Sequence, residues 1–420
     1  MGVTLEPSAF VLGMRTPREV HTPESVESLA ALLRASDACG DSVVFFGGGT
    51  LQGIGGVPER YDVAISLAAL NHTLEYEYRD LTVAVEAGVT VDDLGMMLAS
   101  HGQFVPLDAP RAERSTVGGV LASGWLGPRR ATYGRPRDLV IGSTVVLADG
   151  TVAKAGGMVV KNVTGYDMSK LYVGSLGTLG AIVRANFKTL PMPESRRVAV
   201  APLPQHTRER ALAHVLTLPS EPAAALFITG FPEIDGRDGT EGRLLLLLEG
   251  SNALVQRATR ELRSSLGSAG LPATTILDRD ANAAFARLLD AYVQPCAAGS
   301  VTYRSTGLIT DLVPRHITFA ALAREHELQL ETIADLRTGD FIARLSTPLG
   351  GDFLAERILD YDPALHAALG RTWVVSAPAT LRERLAPWGT PPASVDKMRA
   401  LKTRFDPNGT LAPGRLVGGI

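Results

Sequence analysis

A chain of 420 residues, 45% apolar and 20% charged, is long enough for two or three hydrophobic cores, because single cores stop growing near about 250–300 residues. Its net charge of −3, with Lys and Arg scattered among acids, argues against nucleic acid as a partner, which usually demands a basic face. Cys39 and Cys296 lie too far apart in sequence for a redox pair, metal knot or disulfide framework, a usage that fits a reducing cytoplasm.

The N-terminal segment lacks a basic stretch followed by an apolar one, so no export signal is expected. Pro23 to Ala38 has helical spacing through Val26, Leu29, Ala30 and Leu33, with Thr22 expected as its N-cap. Ser42 to Phe46 is a short buried strand that ends at three glycines. Leu81 to Ala87 alternates as a strand, and Thr90 to His101 follows as a helix capped by Thr90 and stopped by Gly102. Leu139 to Leu147, the turn Asp149-Gly150 and Thr151 to Ala155 predict a hairpin, and Gly180 to Leu190 closes this block as a strand.

Pro191 to Ser195 marks a boundary. Beyond it come strands at Arg197 to Ala201, Ala223 to Gly230 and Arg243 to Glu249, with helices at Thr207 to Leu216 and Ala253 to Leu266. The run Leu244 to Leu248 is far short of the roughly 20 residues a membrane span needs and is expected as a buried strand. A second cycle starts at Val301, with helices over Pro314 to His326 and Phe353 to Leu359. Its strands lie near Gln329 to Ile333, Phe341 to Leu345 and Trp373 to Ser376. Two such rounds predict an antiparallel sheet covered by helices on one face. A proline-rich link after Trp388 leads to a helix over Ala393 to Arg404 and a turn-rich tail.

Three glycine clusters carry the chemistry. In the first, Gly47-Gly48-Gly49-Thr50-Leu51, continuing to Gly55, follows a strand and can gather backbone amides into an anion-binding nest, with the Thr50 hydroxyl as a further donor. A plain tight turn is the alternative. In the second, Thr116, Gly118, Gly119, Ala122, Ser123 and Gly124 are small or hydroxylated and keep amides open to a large flat ligand; as pure packing, glycine inside an element costs up to about 1 kcal/mol. This run continues through Gly127 to Tyr133 and Gly134. The third extends from Gly157 to Gly180, where Lys161 and Asp167 are expected to form a structural ion pair. No G-x-G-x-x-G follows a strand, no P-loop lysine occurs, and the eight histidines form no ligand-like pair, which disfavours a nicotinamide-type fold, nucleotide hydrolysis and metal catalysis.

These clusters, with the strings GPRRATYGRPRDLVIG, VVKNVTGYDMSKLYVGSLGTLG and LKTRFDPNGTLAPGR, resemble the vanillyl-alcohol oxidase/p-cresol methylhydroxylase (PCMH-type) FAD-binding superfamily over about Val20 to Pro193. Within it they are similar to the E-subunit family of bacterial glycolate oxidases (glycolate dehydrogenases). The resemblance implies an α+β protein in three parts: an FAD-binding domain of two α/β subdomains over residues 1–194, an antiparallel-sheet cap domain over 195–390, and a helix and tail over 391–420 returning to the first domain. It implies FAD held by Gly47, Gly48, Gly49, Thr50, Leu51 and Gly55 at the pyrophosphate. Thr116, Gly118, Gly119, Ala122, Ser123 and Gly124 would line the pyrophosphate and rings, with Gly127, Tyr133 and Gly134 nearby and Ile182 and Val183 at the adenine end.

The FAD would be non-covalent, because no His or Cys stands at the family's attachment position. Two further departures are Phe46, where many relatives have Arg, and Ala412, where relatives often have Asn. The H-x-G-D-G-N-x-H motif of related catalytic subunits and D-lactate dehydrogenases is absent. The implied function is therefore an FAD-binding redox subunit of a 2-hydroxyacid dehydrogenase. Its expected partners are a homologous FAD-bearing catalytic subunit and an iron–sulfur subunit, in the cytoplasm and at the inner membrane only through those partners. A stand-alone FAD oxidoreductase and a structural flavin-binding assembly subunit are the alternatives. No catalytic residue is assigned; Tyr303, Arg304 and Arg344 on cap strands either face the flavin or are structural.

Overall fold

The computed structural model describes residues 6–158, 166–204, 208–234, 242–271, 274–278, 280–293, 299–369 and 371–420. The expected ion pair of Lys161 lies outside the described residues; Asp167 itself pairs with Lys170 at 3.1 Å. The chain divides into two compact units. The first comprises Met1–Leu126, Gly134–Met192 and Pro378–Ile420, and the second Gly127–Tyr133 and Pro193–Ala377.

The first unit holds ten strands among the described residues: β1 (Glu19–His21), β2 (Val43–Phe46), β3 (Val63–Ser66), β4 (Thr73–Glu77), β5 (Thr82–Glu86), β6 (Gln103–Phe104), β7 (Val140–Val146), β8 (Val152–Gly156), β9 (Ala181–Lys188) and β10 (Leu190–Pro191). A parallel sheet runs β1-β3-β2, an antiparallel sheet β4-β5-β9-β7-β8, and β10 pairs with β6. The helix Val26–Cys39 buries Leu29 and Leu33 in a core shared with Val43, Ile65, Val146 and Val183. Its N-cap is Ser25 rather than Thr22. Ser25 accepts the Ser28 amide at 3.1 Å and Ser28 returns the bond, a capping box that fixes the start three residues later than expected. The helix Val91–Ala99 starts as expected, with Thr90 accepting the Asp93 amide at 3.0 Å.

The tail completes the parallel sheet. Val43 donates its amide to Thr410 O at 2.7 Å, and Ala412 donates to Val43 O at 2.8 Å. Asp406 accepts the amides of Thr410 and Leu411, while Lys402 ties Asp406, Leu411 O and Thr178 O together. Ala412 is fully buried at φ 43°, a left-handed conformation that asparagine tolerates better than alanine. Phe46 packs among Phe10, Tyr61 and Ala412, so an apolar core occupies the place where relatives were expected to carry a charge.

The second unit is built on β11 (Ser195–Leu203), β12 (Ala224–Thr229), β13 (Gly242–Gly250), β14 (Thr275–Leu277), β15 (Ser300–Ser305), β16 (Gln329–Asp335), β17 (Phe341–Ser346) and β18 (Thr372–Ser376). They form one sheet in the order β14-β11-β13-β12-β16-β17-β15-β18, and every neighbouring pair is antiparallel. Leu244 to Leu248 is buried on both faces of β13, as a central strand requires. The helix Asn252–Ser268 lays Val255, Ala258, Thr259, Leu262 and Leu266 against this sheet. The helix Gly351–Leu369 continues ten residues past the expected Leu359, straight through Pro363, because Leu354, Ile358, Tyr361 and Leu365 form one buried stripe. This α+β architecture, with its large antiparallel sheet, is the fold class expected from the sequence.

Candidate functional site

Within the first unit, β2 ends at Phe46 and the chain opens into the glycine loop. A solvent-connected cleft lies over this loop, the helix Val117–Ser123 and the start of β9. The same glycine clusters that stood out in the sequence meet here. Gly47, Gly48, Gly49, Thr50 and Leu51 line one wall, Thr116, Gly118, Gly119, Ala122 and Ser123 a second, and Leu176, Gly177, Gly180, Ala181 and Ile182 a third.

Each wall has a physical reason for its small residues. A Cβ on Gly47 would lie 2.0 Å from Thr116 Oγ1, and one on Gly48 only 1.7 Å from Arg114 O. The loop therefore presses its backbone against the next segment, and Gly49 turns it at φ 73°. Among the described residues, no acceptor meets the amides of Gly47, Gly48, Gly49 or Thr50. Four neighbouring donors without acceptors beside a cleft call for an anion.

The Thr50 hydroxyl is not one of those donors. Ser115 Oγ donates to Pro110 O at 2.5 Å, so Thr50 must donate to Ser115 at 2.6 Å, leaving only its lone pairs. Thr116 serves as N-cap, accepting the Gly119 amide at 3.2 Å. Gly118 faces the cleft with its edge; its missing Cβ is needed against Ala87, whose own Cβ would be 2.6 Å away.

Six residues expected at the site do not line the cleft. Gly55 turns at φ 91° against the tail, where a Cβ would meet Arg415 O at 2.7 Å. Gly124 ends the helix in the left-handed conformation, and Val183 is buried in the core behind β9, its carbonyl accepting the Ala87 amide. Gly134 turns the chain at φ 90° next to Asp138. Gly127 and Tyr133 belong to the second unit, where the Tyr133 hydroxyl donates to Glu249 at 3.0 Å.

Sequence reasoning did not expect Leu67, Ala87 or Arg415 among the lining residues, and of these Arg415 carries the charge. It is 2% exposed and, among the described residues, is the one charged side chain lining the cleft. Its Nη2 donates to Ile54 O at 2.9 Å, while Nε and Nη1 have no partner among the described residues. Arg382 lies on the same loop, donating to the carbonyls of Gln52 and Gly55 at 3.0 and 2.8 Å. Burial, and then the charge of Arg382, push the Arg415 guanidinium down to about 9. Its position in a tail that otherwise looked structural gave no periodic signal.

The cap-strand candidates Tyr303, Arg304 and Arg344 are locked inside the second unit. Tyr303 is fully buried and donates to Asp362 at 2.9 Å; burial and then the Asp362 charge push its phenol far up. Arg304 pairs with Asp340, and Arg344 holds Glu331 and Glu233. These are structural partners. No group of three or more His, Cys, Asp or Glu is placed to hold a metal among the described residues, and no described helix is long and apolar enough to cross a membrane.

The donor set fits FAD: unpaired amides and a buried cation suit its pyrophosphate, and Phe45, Leu67 and Ile182 supply apolar walls. Residues 17–156 match the FAD binding domain family. The chain is 25% identical to glycolate oxidase subunit GlcD of Bacillus subtilis over 95% of its length and 89% of that protein. It is 27% identical to a D-lactate dehydrogenase of Archaeoglobus fulgidus over 94% of its length and 90% of that protein. It is 33% identical to glycolate oxidase subunit GlcE of Escherichia coli over 45% of its length and 51% of that protein. The crystal structure of p-cresol methylhydroxylase with substrate bound superposes with a TM-score of 0.74 at 15% identity, covering 95% of this chain and 88% of that one. The chain thus carries an FAD-binding domain of PCMH-type fold, and its cofactor is FAD.

Among the described residues, no cleft-lining residue is His, Cys or Tyr. Denaturation is therefore expected to release intact FAD into solution. Flavin that stays with the precipitated polypeptide would show a covalent bond and overturn this expectation.

Proposed function

We propose that this chain is an FAD-dependent oxidoreductase acting on the CH–OH group of 2-hydroxyacids, working as the flavin-bearing accessory subunit of a glycolate oxidase-type complex. The cofactor supplies the redox chemistry; the protein supplies binding and tuning. The amides of Gly47 to Thr50 hold the pyrophosphate, the segment Thr116 to Ser123 lies along the cofactor, and Ile182 offers the adenine end a wall. The partners are a homologous FAD-bearing catalytic subunit and an iron–sulfur subunit. With two cysteines in its sequence this chain cannot itself bring the four thiolates of a common cluster.

The observation that carries the accessory role is the state of the cap-strand candidates. Tyr303, Arg304 and Arg344 are all buried and bound to carboxylates, and the sequence lacks the H-x-G-D-G-N-x-H motif. A second reading, a self-sufficient dehydrogenase, is favoured by the length of the match to the Archaeoglobus D-lactate dehydrogenase.

Anaerobic stopped-flow separates the two. The isolated chain, mixed with glycolate, D-lactate or D-2-hydroxyglutarate, is expected to reduce its flavin slowly and incompletely, and to do so usefully only when purified with partner subunits. Rapid, complete bleaching of the isolated chain would establish the self-sufficient dehydrogenase instead. Flavin that stays oxidised even in the assembled complex would mean a purely structural cofactor.

A further inference from the structure

Arg415 occupies an unusual position for a cation. The groups that act on its charge are Arg382, which repels it, and the Tyr61 phenol; no carboxylate among the described residues offsets it. Its side chain is held at one nitrogen only, Nη2, by Ile54 O at 2.9 Å and Gln52 O at 3.5 Å, both on the loop whose earlier amides also lack acceptors. A guanidinium does not give up its proton in a protein, so the cost of burying it stands until an anion meets it.

We infer that Arg415 meets the negative charge of the FAD pyrophosphate, Nη2 anchored on Ile54 O and Nε and Nη1 free for the cofactor. The glycine loop then contributes direction through its amides, and the tail contributes the charge. Arg382 holds the same loop through the carbonyls of Gln52 and Gly55, which fixes the surface Arg415 rests on. Bidentate donation from a planar guanidinium is well matched to phosphate oxygens.

This inference rests on the cofactor being FAD. Uptake of FAD by the wild-type apoprotein tests that premise separately. Three quantities are measured on wild type, Arg415→Met and Arg415→Lys: the FAD dissociation constant by titrating apoprotein, the melting temperature of each apoprotein, and the midpoint potential of the bound flavin. Methionine fills similar volume without charge, so it is expected to weaken FAD by about ten- to hundredfold, the usual effect of losing a charge-assisted bond. The melting temperature of its apoprotein should not fall, because an unpaired buried charge has been removed. Lysine keeps the charge without the fork and should recover part of the affinity.

Unchanged affinity in Arg415→Met would overturn the inference. So would an affinity loss accompanied by a matching fall in apoprotein melting temperature, which would make Arg415 a tie for the tail. A shifted flavin potential at unchanged affinity would place the residue against the ring system and overturn it as well. Should the methionine chain not fold, the lysine variant decides. A merely structural guanidinium would leave its FAD affinity at the wild-type value and lower only its melting temperature.

Discussion

Gly48→Val is expected to yield a colourless protein whose second unit is still folded. A Cβ at residue 48 would sit 1.7 Å from Arg114 O and 2.6 Å from Arg114 C, both backbone atoms. That carbonyl cannot retreat cheaply. The amides of Arg114 and Ser115 are both bonded to Arg111 O at 2.8 Å, and Ser115 O accepts the Val91 amide at 2.8 Å. The glycine loop must move instead, and its four unpaired amides lose their common direction. Hydrogen bonds to a charged partner contribute about 1.5–3 kcal/mol each, so losing two weakens FAD by roughly two orders of magnitude or more. Flavin absorbance per mole of purified chain, with circular dichroism as the folding control, reads the outcome. Full occupancy would mean that the pyrophosphate is held elsewhere. Gly118→Val is a different experiment, because its side chain would strike Ala87 and unseat the helix from its strand.

The second large effect is on stability. Asp340 is 3% exposed and serves two guanidinium groups, Arg304, itself 2% exposed, and Arg130 at 2.8 Å. Asp340→Ala leaves the buried Arg304 without this carboxylate, and leaves the partly buried Arg130 with only Asp335 at 3.9 Å. Breaking a buried pair from one side costs about 3–5 kcal/mol, a large part of the about 5–15 kcal/mol that holds a typical domain together. Urea unfolding should move to a much lower midpoint. Asp340→Asn keeps the shape without the charge and should recover little. A loss under about 1 kcal/mol, the range of an exposed pair, would show that water reaches this site freely.

Much of the fold was legible because local signals agreed with tertiary demands. Thr90 starts a helix in sequence and in space, although the helix ends at Ala99 with Ser100 as its C-cap rather than running to Gly102, and the leucine run of β13 is a central strand. The misses have identifiable causes. β3 has only four residues and β4 is largely exposed, so neither showed the alternation of a half-buried strand. The helix Val117–Ser123 hides in a glycine-rich run of low helix propensity, although Thr116 and Gly124 cap it at both ends. Pro363 masked the second half of the helix Gly351–Leu369, where burial outweighed the missing amide. At the site, glycine position was legible but glycine purpose was not. Only the packed backbone reveals that Gly118 makes room for Ala87, that Gly55 makes room for the tail, and that Thr50 spends its proton on Ser115. Arg415 closes one of the strings that carry the resemblance, but its role was not legible there, because it depends on a loop 361 residues away.

The strand-like pairing of Val43 with residues 410–412 has a consequence for biosynthesis. On the ribosome, Gly47 to Thr50 emerge early, but the residues that close their sheet and bring Arg415 to the cleft are made only after all of Pro193–Ala377. Chains grow at about 5–20 residues per second and domains fold as units, so the intervening unit can be complete while the cofactor cradle still lacks its far edge. Flavin capture is then a late event, after translation has passed Arg415. A chain cut before residue 410 would retain every glycine of the motif and still be unable to keep its cofactor.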